Sequence, residues 1–306
     1  VDKISRREFL KISAGVIVAS SLPSVVFNPL KAQAIDPVVS VARGDASKLV
    51  KTAVDALGGI ETFVKPGQTV CIKPNISFAA NTECGTTTSP DIVKQMVELC
   101  LAAGAAKVIL LDHTIADPDI CVEKSNIKQA IVDAKKVGLL ALSQERQFIE
   151  TSIPTGQELS SIKIAKALQK ADVLINLPTA KSHSATGVSL GMKNLMGLIW
   201  DRGFLHQVNL HRAIAELALV IKPHLTVIDA TRVLTTGGPG GPGKTVKLNT
   251  VVAGTDPVAV DSYTVGLTPW YGKSFVGSSV KYIVAASELG LGEIDTGNMS
   301  IKEIEV

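Results

Sequence analysis

The sequence predicts an α/β fold, a largely parallel sheet with helices on both faces. Two observations predict it. Short apolar, strand-like runs alternate with segments of helical periodicity from about residue 46 onward. The composition is 46% hydrophobic but only 4% aromatic, the balance of an Ala/Val/Leu/Ile-rich core and not of a disordered chain. Two strands end at a proline followed by polar residues, at Pro74 and Pro178. A proline there stops ladder pairing and turns the chain away from the sheet.

Residues 46–57 alternate at helical spacing, and Pro66-Gly67 is a turn. Thr69–Lys73 reads as a short buried strand. Ser89-Pro90-Asp91 starts a helix, with Ser89 as N-cap, Pro90 at the first helical position and Asp91 on the positive dipole end. Gly104 stops that helix after Ala103. Lys107–Asp112 is the next strand. Ser125–Val137 is expected to be helical, followed by a strand near Leu139–Leu142. Residues 145–155 are extended, Ile164–Lys170 is helical and Asp172–Leu177 is a strand. Asn209–Ile221 is a helix stopped by Lys222-Pro223, and Leu225–Asp229 is a strand. A glycine-rich loop at 237–243 leads to a strand at Thr245–Ala253, then helices at Asp256–Gly266 and Ser278–Leu289. Residues 35–306 read as a single α/β domain; a break near 114–124 or 143–160 would divide it into two subdomains.

Residues 1–34 have the parts of an export signal. Arg6-Arg7 precedes Phe9-Leu10-Lys11, an apolar stretch runs from Ile12 to Phe27, and Ala32-Gln33-Ala34 offers a small-residue cleavage site. The arginine pair points to the twin-arginine route, so its export machinery is an expected partner and the destination is periplasmic or extracellular. The apolar stretch is shorter than the roughly 20 residues that span a bilayer, and it contains Pro23, so no stable span is expected once the signal is removed. Of 31 Lys/Arg and 28 Asp/Glu, five and two lie in this segment, leaving 26 of each beyond it. No basic field remains to recruit nucleic acid.

No two of Cys71, Cys84, Cys100 and Cys121 stand at a metal-knuckle spacing, so no built-in iron–sulfur or zinc motif is expected. Cys71 and Cys100 read as core residues. Cys84 and Cys121 fall in loops, and an oxidising compartment leaves their pairing open. Gly238-Pro-Gly-Gly-Pro-Gly243-Lys244-Thr245 satisfies the phosphate-loop pattern, but a strand-like run follows where a helix would be required. Pro239 and Pro242 also remove two backbone donors. No nucleotide phosphate loop is therefore expected; a ligand-covering flap fits better.

The chemistry concentrates past the strand ends. Lys73-Pro74-Asn75, Asp112-His113 and Pro178-x-x-Lys181-x-His183 each follow a strand, and ligands in open α/β sheets bind beyond the carboxyl ends of strands. Between residues 181 and 212 lie Lys181, His183, Lys193, Asn194, Asp201, Arg202, His206, His211 and Arg212 around a glycine-rich run. Lysines with asparagines suit a carboxylate or phosphate, and a buried lysine or a histidine can move a proton. The plain alternative is a solvated loop with helix-end histidines and strand ends that are polar because they are exposed. Asp112, His183 and His206 are the candidate metal ligands, although no short His-x-His spacing supports them. Asp256 reads as a helix cap and Asp261, among apolar neighbours, as either a packing residue or part of the site.

At these residues the chain resembles the domain of unknown function 362 family. The resemblance is carried by Lys73-Pro74-Asn75, Thr86–Pro90, Pro178-x-x-Lys181-x-His183, Lys193-Asn194-Leu-Met-Gly197, Val227-Ile-Asp229, Gly237-Gly-Pro and Asp256-x-x-Ala-Val-Asp261. It implies a bacterial or archaeal protein, often exported by the twin-arginine route and often bearing a ferredoxin-like segment that this sequence lacks. It marks Lys73, Asn75, Lys181, His183, Lys193 and Asn194 as family positions, with His206 beside them. Two functions are expected. One is an exported enzyme or cofactor protein holding an anionic small molecule, with Lys73, Lys181 and Lys193 neutralising it, Asn75 and Asn194 orienting it and His183 transferring a proton. The other is a non-catalytic binding or accessory protein of an electron-transfer or metal system.

Overall fold

Strand β1 (Val38–Arg43) opens the fold in a computed structural model that describes residues 37–306. The expected export signal lies outside the described residues. Helix α1 (Leu49–Asp55) leads to β2 (Thr69–Pro74), whose last five residues are all buried, the pattern of a strand covered on both faces. Helix α2 (Pro90–Ala102) and β3 (Lys107–His113) follow. Pro90 occupies the first turn of α2 as expected, and Gly104, at φ +87°, ends it in a conformation that favours glycine. Ser89 stands at the N-cap, but its hydroxyl caps nothing; its backbone N–H donates to Asp229 Oδ2 at 2.8 Å.

The next stretch departs from expectation twice. Helix α3 (Pro118–Lys124) occupies a segment read as a break, with Asp117 Oδ1 accepting from the N–H groups of Asp119 and Ile120. The helix expected over Ser125–Val137 does not form. Asn126 adopts the left-handed conformation, at φ 55°, and the Asp133 carboxylate turns the chain by accepting from Lys135 N–H, so only a short 3-10 turn at Ile127–Ala130 survives. Strand β4 (Val137–Leu142) pairs with β3. Strands β5 (Phe148–Ser152) and β6 (Ser161–Ala165) form a separate hairpin, and β6 takes the first residues of the helix expected at Ile164–Lys170. The hairpin loop is tied to the body by buried Glu216, which accepts from Gln157 N–H and Leu159 N–H at 2.8 and 2.9 Å.

Strand β7 (Val173–Leu177) runs through Pro178 into β8 (Thr179–His183), which hairpins with β9 (Gly187–Ser189). A short helix α4 (Gly191–Asn194), helix α5 (Leu210–Val220), β10 (Leu225–Leu234), β11 (Thr245–Gly254), α6 (Pro257–Val265), α7 (Lys281–Glu288) and β12 (Ser300–Glu305) complete the order. Asp256 caps α6, its Oδ1 accepting from Val258 and Ala259 N–H, both at 2.8 Å.

The sheet runs β12-β1-β11-β10-β7-β2-β3-β4. It is parallel except where β11 pairs antiparallel with β1 and β10 and where β9 pairs antiparallel with β8, which joins the sheet beside β10, so the α/β reading with a largely parallel sheet holds. Alternate residues feed two cores. Val41, Cys71, Leu111 and Leu174 pack with α5, α6 and α7, while Val70, Ile72, Leu110 and Val173 pack with α1 and α2 on the other face. From β2 the chain winds outward to β3 and β4, then returns to β7 on the other side of β2. The direction of winding therefore reverses between β2 and β7, the place where α/β sheets open a crevice beyond their strand ends. Among the described residues no helix is long and apolar enough to cross a membrane.

Candidate functional site

Four strand ends supply the floor of the crevice. Lys73 and Asn176 face each other in the β2–β7 register, Asp112 comes from β3, and Lys181 comes from β8. Lys73 is fully buried and its Nζ lies 2.8 Å from Asp112 Oδ1, with further bonds to Pro74 O at 2.6 Å and Asn194 Oδ1 at 3.1 Å. Asp112 Oδ2 accepts from Ile76 N–H at 2.8 Å and Ser77 Oγ at 3.1 Å. This ion pair is a buried structural unit, in which Asp112 Oδ1 has the Lys73 ammonium beside it but no hydrogen bond. Burial pushes the Lys73 ammonium below its ordinary value, and Asp112 opposes that shift. Gly197 lies against the pair: a Cβ there would stand 2.1 Å from Asp112 Oδ1 and 2.6 Å from Lys73 Cε. The glycine ending Lys193-Asn194-Leu-Met-Gly197 is thus a close approach to the ion pair.

Asn194 is the hub above it. Its Nδ2 donates to Lys73 O and Asn176 Oδ1, and its Oδ1 accepts from Lys73 Nζ and from Asn75 Nδ2 at 3.1 Å. Asn75 Oδ1 in turn accepts from Lys181 Nζ at 3.1 Å, and Lys181 also donates to Thr86 O at 2.6 Å while lying 4.7 Å over the Phe78 ring. Lys73, Asn75, Lys181 and Asn194 form one continuous buried network, as their spacing past the strand ends predicts.

The turn that carries Lys193 and Asn194 is fixed from behind by Asp261. Its two oxygens accept from Gly191 N–H at 2.7 Å and Met192 N–H at 3.1 Å. Complete burial pushes this carboxyl up to about 7 against those donors. Asp261 is therefore a positioning residue of the site. The apolar neighbours that made it ambiguous in the sequence are the core it is sunk in.

A pocket of about 780 Å3 opens over this floor. Asn75, Lys181, His183, Lys193, Asn194 and His206 all line it, together with Ser77, Phe78, His113, Met196 and Arg202. Lys73 and Asp112 lie beneath and do not reach it. No aspartate or glutamate is on its wall. Lys193 has the Met196 thioether at 3.1 Å as its hydrogen-bond acceptor. Burial lowers Lys181 to about 7, with Asp112 opposing and Lys193 and Lys73 adding to the shift; burial and Arg202 lower Lys193 to about 8.

The histidines differ in kind. His183 Nδ1 accepts from Ala185 N–H at 3.1 Å, and burial with the nearby lysines pushes its pKa to about 3. It is held neutral with its proton on Nε2, so it can donate a hydrogen bond but has its other nitrogen engaged. His113 has the opposite tautomer: Nδ1–H donates to Ile199 O at 2.8 Å, leaving Nε2 as acceptor, and the ring stacks on Trp200 at 5.3 Å. Arg202 straps this corner by donating to His113 O and Thr114 O at 2.8 and 2.7 Å. His113 and Arg202, for which the sequence left an exposed strand end and a solvated loop as alternatives, are pocket residues. Phe78 and Asn176 carried no signal beyond their neighbours.

The candidate metal trio is not assembled. Asp112 is committed to Lys73, Ile76 and Ser77, and among the described residues no group of three or more His, Cys, Asp or Glu comes together as a metal set. The four cysteines are free; Cys121 is buried in α3 while Cys84 is exposed. Burial pushes the thiols of Cys71 and Cys100 up to about 12, which leaves them inert. The Gly237–Gly243 loop leads into β11, a strand, as its sequence implied. Gly238 N–H donates to Ser182 Oγ at 3.0 Å, and Pro239 reaches the pocket rim.

A thylakoid-associated protein of Synechocystis sp. is 26% identical to this chain over 208 residues, covering 65% of this chain and 63% of that protein. The chain thus spans less than two thirds of that relative's length. The lactate racemase apoprotein of Thermoanaerobacterium thermosaccharolyticum superposes with a TM-score of 0.46 at 14% identity, over 72% of this chain and 54% of the other, a likeness too low to carry an argument. The profile of the domain of unknown function (DUF362) matches residues 70–266, well over half of the sequence, and every quoted motif falls inside that span. The chain belongs to the domain of unknown function 362 family.

Proposed function

We propose that this chain is an exported enzyme or cofactor protein that holds an anionic small molecule in the 780 Å3 pocket, with Lys181, Lys193 and Arg202 as its cationic partners. The observation that carries the reading is the charge of the wall: three basic side chains with no carboxylate among the lining residues, the nearby Asp112 being already paired with Lys73 beneath the floor. Burying cations without counter-charge costs stability, and an entering anion repays it through charge-assisted hydrogen bonds. Asn75 and Asn194 orient the anion. His183 offers a hydrogen bond from Nε2, and Lys181, lowered to about 7, is the group that exchanges a proton near neutrality. Lys73, expected as a third anion ligand, serves instead as the buried partner of Asp112.

A second reading, a non-catalytic accessory protein of an electron-transfer or metal system, draws on the relative named for its thylakoid association. Near-complete burial of both lysines favours the first, because a docking cleft would present them outward. Export by the twin-arginine route remains part of the proposal. Calorimetric titration with oxalate, phosphate and neutral oxamide tests the pocket. Binding of at least one anion and none of oxamide is expected; equal binding of the neutral compound, or of nothing, overturns the reading.

A further inference from the structure

Three lysines of the crevice differ in what surrounds their nitrogens. Lys73 Nζ meets a carboxylate and two further oxygens. Lys181 Nζ meets two neutral oxygens and an aromatic face, and is pinned by them. Lys193 Nζ meets one thioether sulfur, a weak acceptor that leaves an ammonium poorly satisfied. Lys193 is also the most accessible of the three, at 8% exposure against 0% and 1%. An amine placed in an apolar setting beside other cations, where its neutral form is favoured, is the arrangement that makes lysine a nucleophile toward carbonyl carbon.

We propose that Lys193 forms an imine with the carbonyl carbon of a small 2-oxo carboxylate whose carboxylate is held by Arg202 and Lys181. The inference rests on the anion-binding reading of this pocket and names its substrate class. Arg202 spends two donors on His113 O and Thr114 O, and a guanidinium has five. Phe78 and Met196 supply apolar wall for the remainder of the substrate.

The step balances without an oxidant or reductant. The neutral Lys193 nitrogen attacks the carbonyl carbon and a C–N bond forms. Neutral Lys181 takes a proton from the attacking nitrogen and passes it to the carbonyl oxygen, giving the carbinolamine. A second proton from nitrogen leaves with the hydroxyl as water, and a C=N bond remains. Both amine hydrogens and the carbonyl oxygen end in that water. The direction of the Lys193 shift, down to about 8 through burial and Arg202, supplies neutral amine at mildly alkaline pH.

The test is reductive trapping on the full chain with pyruvate and sodium borohydride, read by intact mass and peptide mapping. The expected result is one carboxyethyl adduct per chain, on the peptide bearing Lys193, at least about tenfold reduced by excess oxalate and in Lys193→Arg. An adduct spread over exposed lysines, or undiminished in Lys193→Arg, overturns the proposal. Mapping on the native chain decides the matter even if the variant fails to fold. Oxalate binding measured in parallel separates the two claims. Oxalate binding without a carboxyethyl adduct removes the imine alone, whereas absence of both removes the anion site and the imine together.

Discussion

Lys73 and Lys193 come from the same crevice and are both buried, yet they are built for opposite ends. Lys73 is ion-paired with Asp112 within a network of further hydrogen bonds, Asp112 Oδ1 being held by the ion pair alone. Lys193 has no carboxylate near it and opens onto the pocket. The difference teaches that burial alone does not mark a functional cation. What marks it is burial without counter-charge, because the unspent electrostatic cost is available to a ligand. Counter-charge makes Lys73 part of the scaffold that orders Asn194, and through Asn194 the ligand-facing Asn75.

The largest expected effect breaks the compensated side of the comparison. Asp112→Asn leaves Lys73 buried beside a neutral amide, and a loss of about 3–5 kcal/mol in urea unfolding is expected. A loss below about 1 kcal/mol would mean that the pair is not the scaffold described here. Next comes the support behind Lys193. Asp261→Asn sets an amide N–H2 against Gly191 N–H or Met192 N–H and should cost about 1–3 kcal/mol, with weakened oxalate binding. Unchanged binding would show that the turn holds itself.

The smallest effect on stability is expected where the charge is uncompensated. Lys193→Met removes a costly ammonium and keeps its bulk, so stability should stay within about 1 kcal/mol or rise. Oxalate affinity should fall at least about tenfold. The pH slope sharpens the contrast. Lys181 and Lys193 hold protons less tightly folded than at their ordinary value of 10.5. The unfolded chain therefore binds more protons across this range. Stability contributed by the neutral lysines is full above about 10.5 and is lost as pH falls through about 8 and about 7. Lys193→Met should flatten that rise in stability between about pH 7 and about pH 10, measured by urea unfolding at both; an unaltered slope would assign the shift elsewhere.

Much of this was legible in the sequence for a physical reason. Strand ends capped by Pro74 and Pro178 and followed by polar residues predicted the crevice, and six of the seven proposed site residues line it. Lys73 went beneath the floor because its partner, Asp112, comes from a neighbouring strand, and local spacing carries no information on which strands adjoin. For the same reason Asp261, some 70 residues beyond Gly191, could not be assigned as its support. For His113 the sequence left an exposed strand end and a crevice residue both open, because the Arg202 strap that covers it is a tertiary contact. The helix expected after Ser125 failed where local chemistry overrode apolar spacing, at left-handed Asn126 and the Asp133 turn. Strand β8 was concealed by Pro178, which ends the pairing of β7 but lets the chain resume beside β10.

The central claim is that Lys181 holds its proton weakly until an anion arrives. Calorimetric titration of oxalate into the full chain near about pH 8, in two buffers of different ionisation heat, reads this directly. Net proton uptake on binding is predicted, since the anion raises Lys181, which is depressed to about 7 without it. Binding with no proton uptake, or with proton release, would contradict the account.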